Sequence, residues 1–313
     1  MVTRQEVLAA RDAIAGRVHR TPTLTSASLG RELGVPVFLK AELFQRTGSF
    51  KPRGVLNKLA SLSAEEKARG VIGISAGNHA QALAYAAALE GVDALIVMWR
   101  GVSEQKLEAT RGYGGTVDLE AGDPGEAFDR LHALIEETGR TLVHPFDDPL
   151  VIAGQGTVAL ELEEDAPQAR VVVVPVGGGG LVAGIAAATD ARVVAVEPER
   201  SAALHEALAR GEPVTIRPQS IADGLNAPFA GVNCLEICRR RGVESVRVAD
   251  AEIETAFRFL YARAKIACEP AGAAAVAALL AGKVPLDGSK AVAAVVSGGN
   301  VAAETAVAIL GRR

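Results

Sequence analysis

The chain has 313 residues, 49% of them apolar and only 4% aromatic, enough for an aliphatic core in one large domain or two smaller ones. Its 37 acidic and 33 basic residues give a net charge of −4 and are spread along the sequence, so nothing calls for a nucleic acid or an acidic membrane surface, and a small molecule is the expected partner. Cys234, Cys238 and Cys268 form no CxxC pair and no metal-ligand spacing, which fits a reduced, cytoplasmic protein.

The opening stretch, MVTRQEVLAARDAIAGRVHR, alternates charge with apolar residues at helical spacing and does not read as a signal peptide. From about residue 37 onward, short β-rich runs alternate with Ala/Leu-rich helical runs. The predicted strands are 37–43, 71–75, 93–99, 116–120, 141–145, 170–176, 192–198, 245–250 and 291–297. Helical periodicity fills stretches between them, such as NHAQALAYAAALEG, DPGEAFDRLHALIEETGR and DAEIETAFRFLYARAK. Several strands are unbroken apolar runs, the mark of parallel sheet buried on both faces, so the fold class is α/β with helices on both sides. Heavy use of Ala and Gly implies close backbone packing. The uncharged run 171–189 approaches bilayer length. It contains Pro175 and four consecutive glycines, which would strand backbone groups in lipid, so no membrane span is expected. Four strand–helix units between 70 and 147 point to a small domain interrupting a larger one made of 1–69 and 148–313. In such sheets ligands bind beyond the carboxyl ends of the strands.

Four strand-end or turn motifs therefore matter most. In RTGSFKPRGVLNKL, Pro52 suits the first turn of a helix and pushes Lys51 toward an extended conformation beside Phe50. A lysine held against apolar surface favours its neutral, nucleophilic form, as a Schiff-base lysine requires; an ordinary surface lysine opening a helix is the alternative. In VVPVGGGGLVAGIAAA, Gly177, Gly178, Gly179 and Gly180 join a buried strand to a helix beginning near Leu181. Such N–H groups and a helix N-terminus suit a phosphate. Gly178-x-Gly180-x-x-Ala183, with Glu197 ending the next strand, also matches a dinucleotide fingerprint and keeps a nicotinamide dehydrogenase open. In GISAGNHAQA, Ser75, Asn78 and His79 gather at a helix start suited to a carboxylate. There Asn78 could equally be a plain N-cap and His79 could pack behind the helix. Finally, AVVSGGN presents Ser297 at the end of a buried strand, which by itself is ordinary turn chemistry.

In this order, GSFKPRG, SAGNHAQA, PVGGGGL, EPAGAAA and SGGN resemble the pyridoxal-phosphate enzymes of the tryptophan-synthase-β fold, and within them the serine/threonine dehydratase and serine racemase family. HRTPTL (19–24), VIAGQGT (151–157) and IADGL (221–225) extend the likeness over nearly the whole chain. The resemblance implies two open, twisted, mostly parallel sheets flanked by helices, a homodimer, and pyridoxal 5′-phosphate bound covalently by Lys51. It further implies that Gly177–Gly180, with Leu181 behind them, hold the phosphate. Asn78 bonds the ring oxygen, Phe50 and Gly224 sandwich the ring, and Ser297 meets its nitrogen. A neutral hydroxyl there moderates the electron sink, which suits elimination. Ser75 and the 76–79 turn, including Ala76, Asn78 and His79, take the substrate carboxylate. The implied reaction is dehydration and deamination of L-threonine or L-serine. A racemase, or a dehydratase of hydroxyaspartate or phenylserine, is the alternative within the fold, and a ligand sensor without catalysis is another.

The chain departs from the family pattern in three places. Racemising members carry a serine where Ala76 stands here, so racemisation is expected to be slow. Some relatives bind a divalent cation through acids after the strand ending at Glu197. The second acidic position falls on Ala203, so no metal is expected. Trp99 stands where relatives usually have proline. The chain also ends soon after Asn300, so feedback inhibition through a C-terminal regulatory domain is not expected.

Overall fold

The computed structural model describes residues 1–286 and 291–312. In chain order its strands are β1 (Thr23–Thr25), β2 (Val37–Ala41), β3 (Val71–Ile74), β4 (Ala94–Trp99), β5 (Thr116–Ala121), β6 (Thr141–Leu142), β7 (Ala169–Pro175), β8 (Arg192–Pro198), β9 (Glu244–Val248) and β10 (Ala291–Val296). They form two sheets. One has six strands in the order β1-β2-β10-β7-β8-β9, and the other has four in the order β5-β4-β3-β6. Every pairing is parallel except β1 with β2, so the mostly parallel α/β expectation holds. All four strands of the smaller sheet fall between Val71 and Leu142.

Of the central strands, β10 is buried along its whole length and β7 from Val171 to Pro175, as sheets covered on both faces demand. The covering helices are as apolar: Pro270–Leu280 is buried almost throughout, and Pro149–Asp165 is buried from Val151 to Leu162. Glycine allows these helices to approach closely. A Cβ on Gly184 would collide with the Ile152 carbonyl, and one on Gly154 would collide with the carbonyl of Arg53. The helix carrying Lys51 is thereby pressed onto Pro149–Asp165.

Two local expectations need correcting. β1 escapes a pattern search because three residues, TLT, give no usable alternation; β2 recruits it as an antiparallel edge. The strand expected over 141–145 pairs only at Thr141 and Leu142. Pro145 has no N–H to offer, and the His144 ring accepts from the N–H groups of Phe146 (3.3 Å) and Asp147 (2.8 Å), turning the chain.

Candidate active site

Two turns meet below the ends of the large sheet. Ser49 bridges Gly298, Phe50 N–H donates to the Ser297 carbonyl at 3.2 Å, and Gly299 N–H donates to the Gly48 carbonyl at 2.9 Å. This pairing sets the start of the helix Lys51–Ala60 against the end of β10. The extended residue is Ser49 (φ −159°, ψ 164°), while Phe50 is already helical (φ −59°, ψ −18°) and Lys51 is the first residue of the helix. The expected extended Lys51 is thus wrong. Pro52 sits in the first turn, where helical geometry at the preceding residue is tolerated, and the extended residue is Ser49, two positions before Lys51. Thr47 adopts φ +58° to make that approach, a strained conformation for a β-branched residue.

The amine of Lys51 lies 5.2 Å from the centre of the Phe50 ring and donates to the Pro145 carbonyl at 2.7 Å. Burial lowers its pKa to about 8. Beneath it, β7 runs into the four glycines, and the helix Gly180–Ala188 begins at the last of them. Gly179 has φ +97°, where a side chain would be strained, and a Cβ on Gly178 would collide with the Phe146 ring. Among the described residues, the N–H groups of Gly177, Gly178 and Gly179 make no backbone hydrogen bond. Together with the helix N-terminus they form a cradle for an anion.

On the opposite side β3 ends at Ile74, and the helix Asn78–Glu90 starts three residues after Ser75. Gly77 is the N-cap, so Asn78 is not. The Asn78 amide is instead bound on both ends, donating to Glu269 Oε1 at 2.7 Å and accepting from Asn300 Nδ2 at 2.7 Å. Ser75 Oγ accepts from Gly77 N–H at 3.1 Å, which leaves its own proton free to donate. His79 is 3% exposed, and its Nε2 donates to the Val143 carbonyl at 2.9 Å. Burial lowers its pKa to about 3, so His79 is a neutral, inward-packed ring.

Phe50, Lys51, Ser75, Ala76, Asn78, His79, Gly177–Gly180, Leu181, Gly224 and Ser297 all line one cavity of about 970 Å³, together with Trp99. Glu197 does not. Its carboxylate accepts from the N–H groups of Leu204 (2.8 Å) and His205 (2.7 Å) at the start of the helix Ala203–Arg210. Burial raises its pKa to about 7, although those two N–H groups pull it down. A carboxylate committed there cannot hold a ribose beside the glycines, which removes the acid from the dinucleotide alternative. Among the described residues, no group of three or more His, Cys, Asp or Glu side chains could hold a metal ion. Sequence reasoning missed Glu269, which also lines the cavity and is 4% exposed. Its only signal was its place in EPAGAAA, ahead of the helix-starting Pro270.

The residues fit pyridoxal phosphate: an anion cradle of bare N–H groups, a desolvated amine, a hydroxyl at Ser297 and an aromatic face at Phe50. The sequence profile of the family described as "Pyridoxal-phosphate dependent enzyme" matches residues 14–298. The chain belongs to that family. This enzyme is 43% identical over 308 residues to an L-threonine ammonia-lyase of Thermotoga maritima, covering 96% of this chain and 76% of that one. It superposes on the structure of maize serine racemase with a TM-score of 0.93 at 36% identity, over 97% of this chain and 95% of that one. It superposes on the crystal structure of a T.th. threonine deaminase with a TM-score of 0.89 at 40% identity, over 96% and 99%. The two-sheet fold of the enzyme is therefore the one expected from its motifs.

Proposed function

We propose that the enzyme is an L-threonine ammonia-lyase, with L-serine as a second substrate, converting the β-hydroxy amino acid to its 2-oxo acid and ammonia. The observation that carries the chemistry is Lys51, an amine held near neutrality between an anion cradle and the Ser75 turn. Likeness to L-threonine ammonia-lyases along 96% of the chain narrows the substrate.

Bound pyridoxal phosphate supplies the electron sink that lets the α-proton of an amino acid leave. The N–H groups of Gly177–Gly180 would hold its phosphate at the helix N-terminus. Ser297 would offer a neutral hydroxyl to the ring nitrogen and Asn78 an N–H to the ring oxygen, and Phe50 and Gly224 would flank the ring. Ser75, with the N–H groups following it, binds the substrate carboxylate at the positive end of the helix Asn78–Glu90. Lys51, with its pKa lowered to about 8, is unprotonated often enough at neutral pH to take the α-proton as general base. The β-hydroxyl then leaves as water with the proton that Lys51 has taken, and the enamine that remains tautomerises to an imine, which water hydrolyses to the 2-oxo acid and ammonia.

The likeness to maize serine racemase favours racemisation as a second reading, and Ala76 weighs against it. The reading also includes a homodimer, to be checked by analytical ultracentrifugation. The division into 70–147 and the remainder of the chain belongs to it too, supported by the confinement of the small sheet to Val71–Leu142. Among the described residues no helix is long and apolar enough to cross a membrane, in keeping with a cytoplasmic site of action.

The test is 2-oxo acid formation from L-threonine and L-serine by the wild type and Lys51→Ala, with visible spectra of both. The expected result is 2-oxobutyrate from threonine, with product and visible band both lost in the variant. A band without product from either amino acid would overturn the substrate assignment.

A further inference from the structure

Glu269 has no part in the roles above, yet it sits at the centre of a chain of hydrogen bonds under the cavity. Its Oε1 accepts from Asn78 Nδ2, Asn78 Oδ1 accepts from Asn300 Nδ2, and the same Asn300 nitrogen donates to the Thr47 carbonyl, each at 2.7 Å. The chain runs from the start of the helix Pro270–Leu280 to the strained turn ahead of Lys51. It also decides which way the Asn78 amide faces. The oxygen is taken by a donor and one N–H by Glu269, so a single N–H of Nδ2 remains to serve the cavity. Without Glu269 the amide loses the acceptor that holds its nitrogen in place. The surrounding backbone leaves little room for another arrangement: a Cβ on Gly298 would collide with Glu269 Oε1, and one on Gly224 would lie 3.7 Å from it.

We propose that Glu269 is a positioning residue acting through Asn78: it holds the amide with its free N–H turned to the ring oxygen of bound pyridoxal phosphate, and its own ionisation sets the charge beside that ring. This rests on the proposed function only as far as the cofactor, since neither residue is asked to touch substrate. Burial raises the carboxyl's pKa to about 8. The Asn78 bond opposes the rise, Asp223 on the turn at Asp223–Leu225 adds to it, and Lys106 and Lys51 oppose it. The adjoining Cys268 thiol, its pKa raised to about 12 by burial, stays neutral, as does His79. Lys106 and Asp223 are themselves paired at 2.5 Å, so much of their influence cancels. Glu269 is thus mainly a neutral acid at pH 7 and becomes a carboxylate above about 8, where it grips the Asn78 N–H more strongly and favours positive charge on the ring.

The experiment is a titration of the visible spectrum of the cofactor-loaded enzyme between pH 6.5 and 9.5, for wild type, Glu269→Gln and Glu269→Ala. Alongside it, pyridoxal phosphate affinity is measured from quenching of Trp99, the single tryptophan of the chain and a wall of the cavity. The wild-type spectrum is expected to shift with a midpoint near 8. Glu269→Gln still accepts from Asn78 but cannot ionise, so it should lose the shift and bind the cofactor within about threefold of wild type. Glu269→Ala should lose the shift and bind about tenfold more weakly, the size of one lost hydrogen bond. A shift retained in Glu269→Gln would assign it to another group and overturn the proposal, as would wild-type affinity in Glu269→Ala. If Glu269→Ala does not fold, the glutamine variant alone decides. Failure of the enzyme to turn over threonine would leave both readouts unaffected, so the two ideas fail separately.

Discussion

The amine of Lys51 donates to the carbonyl of Pro145, 94 residues away, across 2.7 Å. The bond ties the first residue of a helix to the segment leaving β6, and so links the lysine to the smaller sheet. A carbonyl accepts from an amine in either protonation state, so it aims the nitrogen without fixing its charge; burial, which lowers the pKa to about 8, does that. In cofactor-free protein the rate of pyridoxal phosphate capture should therefore rise about tenfold per pH unit well below 8 and level off above it, followed by stopped-flow absorbance. A rate still rising about tenfold per pH unit up to 9.5 would show that the amine keeps its ordinary pKa and is not desolvated. Stability carries the same signature. Between about 8 and 10.5 the unfolded chain holds this proton and the folded chain does not, so the lysine's contribution to stability grows as pH rises through that window.

Two residues further along the same helix, Arg53 is 1% exposed and makes paired bonds to two carboxylates. Nε and Nη2 reach Glu42 at 2.8 and 2.9 Å, and Nη1 and Nη2 reach Glu161 at 2.7 and 2.9 Å. Lys40, fully buried, adds a bond to Glu161 at 2.7 Å. Replacing Arg53 with Met leaves Glu42, itself 0% exposed, without a counter-charge. The expected loss is about 3–5 kcal/mol in denaturant unfolding. Adding Glu42→Gln should recover part of it, because the two sites share one interaction. A loss below about 1 kcal/mol would mean that water reaches the cluster.

How much of this was legible depended on distance along the chain. The glycine cradle, the SGGN turn and the importance of Lys51 follow from strand, turn and helix signals within a few residues of each other. The Arg53 cluster does not, since an arginine in KPRG looks like any solvated helix residue until Glu161, 108 positions away, is brought against it. Glu269 was hidden in the same way: its chemistry comes from Asn78, 191 positions away, and from burial that no local pattern records. The error at Lys51 was of a different kind. The bias that proline imposes on its predecessor is real, but the pairing of Ser49 with Gly298 placed the extended residue two positions earlier.

Glu197 supports a prediction about metals from its own hydrogen bonds. Both oxygens are engaged by N–H groups at the start of the helix Ala203–Arg210, and the family resemblance would put a second acidic ligand at position 203, where this chain has alanine. The carboxylate works as a helix cap. Excess EDTA should leave turnover within about twofold, with no stimulation by magnesium. Glu197→Ala should lower stability by about 1–2 kcal/mol, the scale of a lost cap, measured by thermal unfolding. Activity lost to EDTA and restored by magnesium would contradict this.

Ala76 lines the cavity between Ser75 and the start of the helix Asn78–Glu90. Racemisation needs a proton taken from one face of the α-carbon and returned to the other. In the proposed mechanism Lys51 serves one face as general base, and a methyl group at position 76 can neither take nor return a proton. A positioned proton donor contributes about 10²–10⁴ in rate, so the wild type should form D-serine from L-serine at least about a hundredfold more slowly than it forms pyruvate. Ala76→Ser supplies a hydroxyl at that position and should raise D-serine formation by about tenfold or more. Elimination from L-threonine, whose proton transfer the proposed mechanism gives to Lys51, should change by less than about threefold. Chiral chromatography of the serine pool with simultaneous 2-oxo acid detection separates the two rates. Rapid D-serine formation by the wild type would mean that another group protonates the second face, and would overturn this prediction.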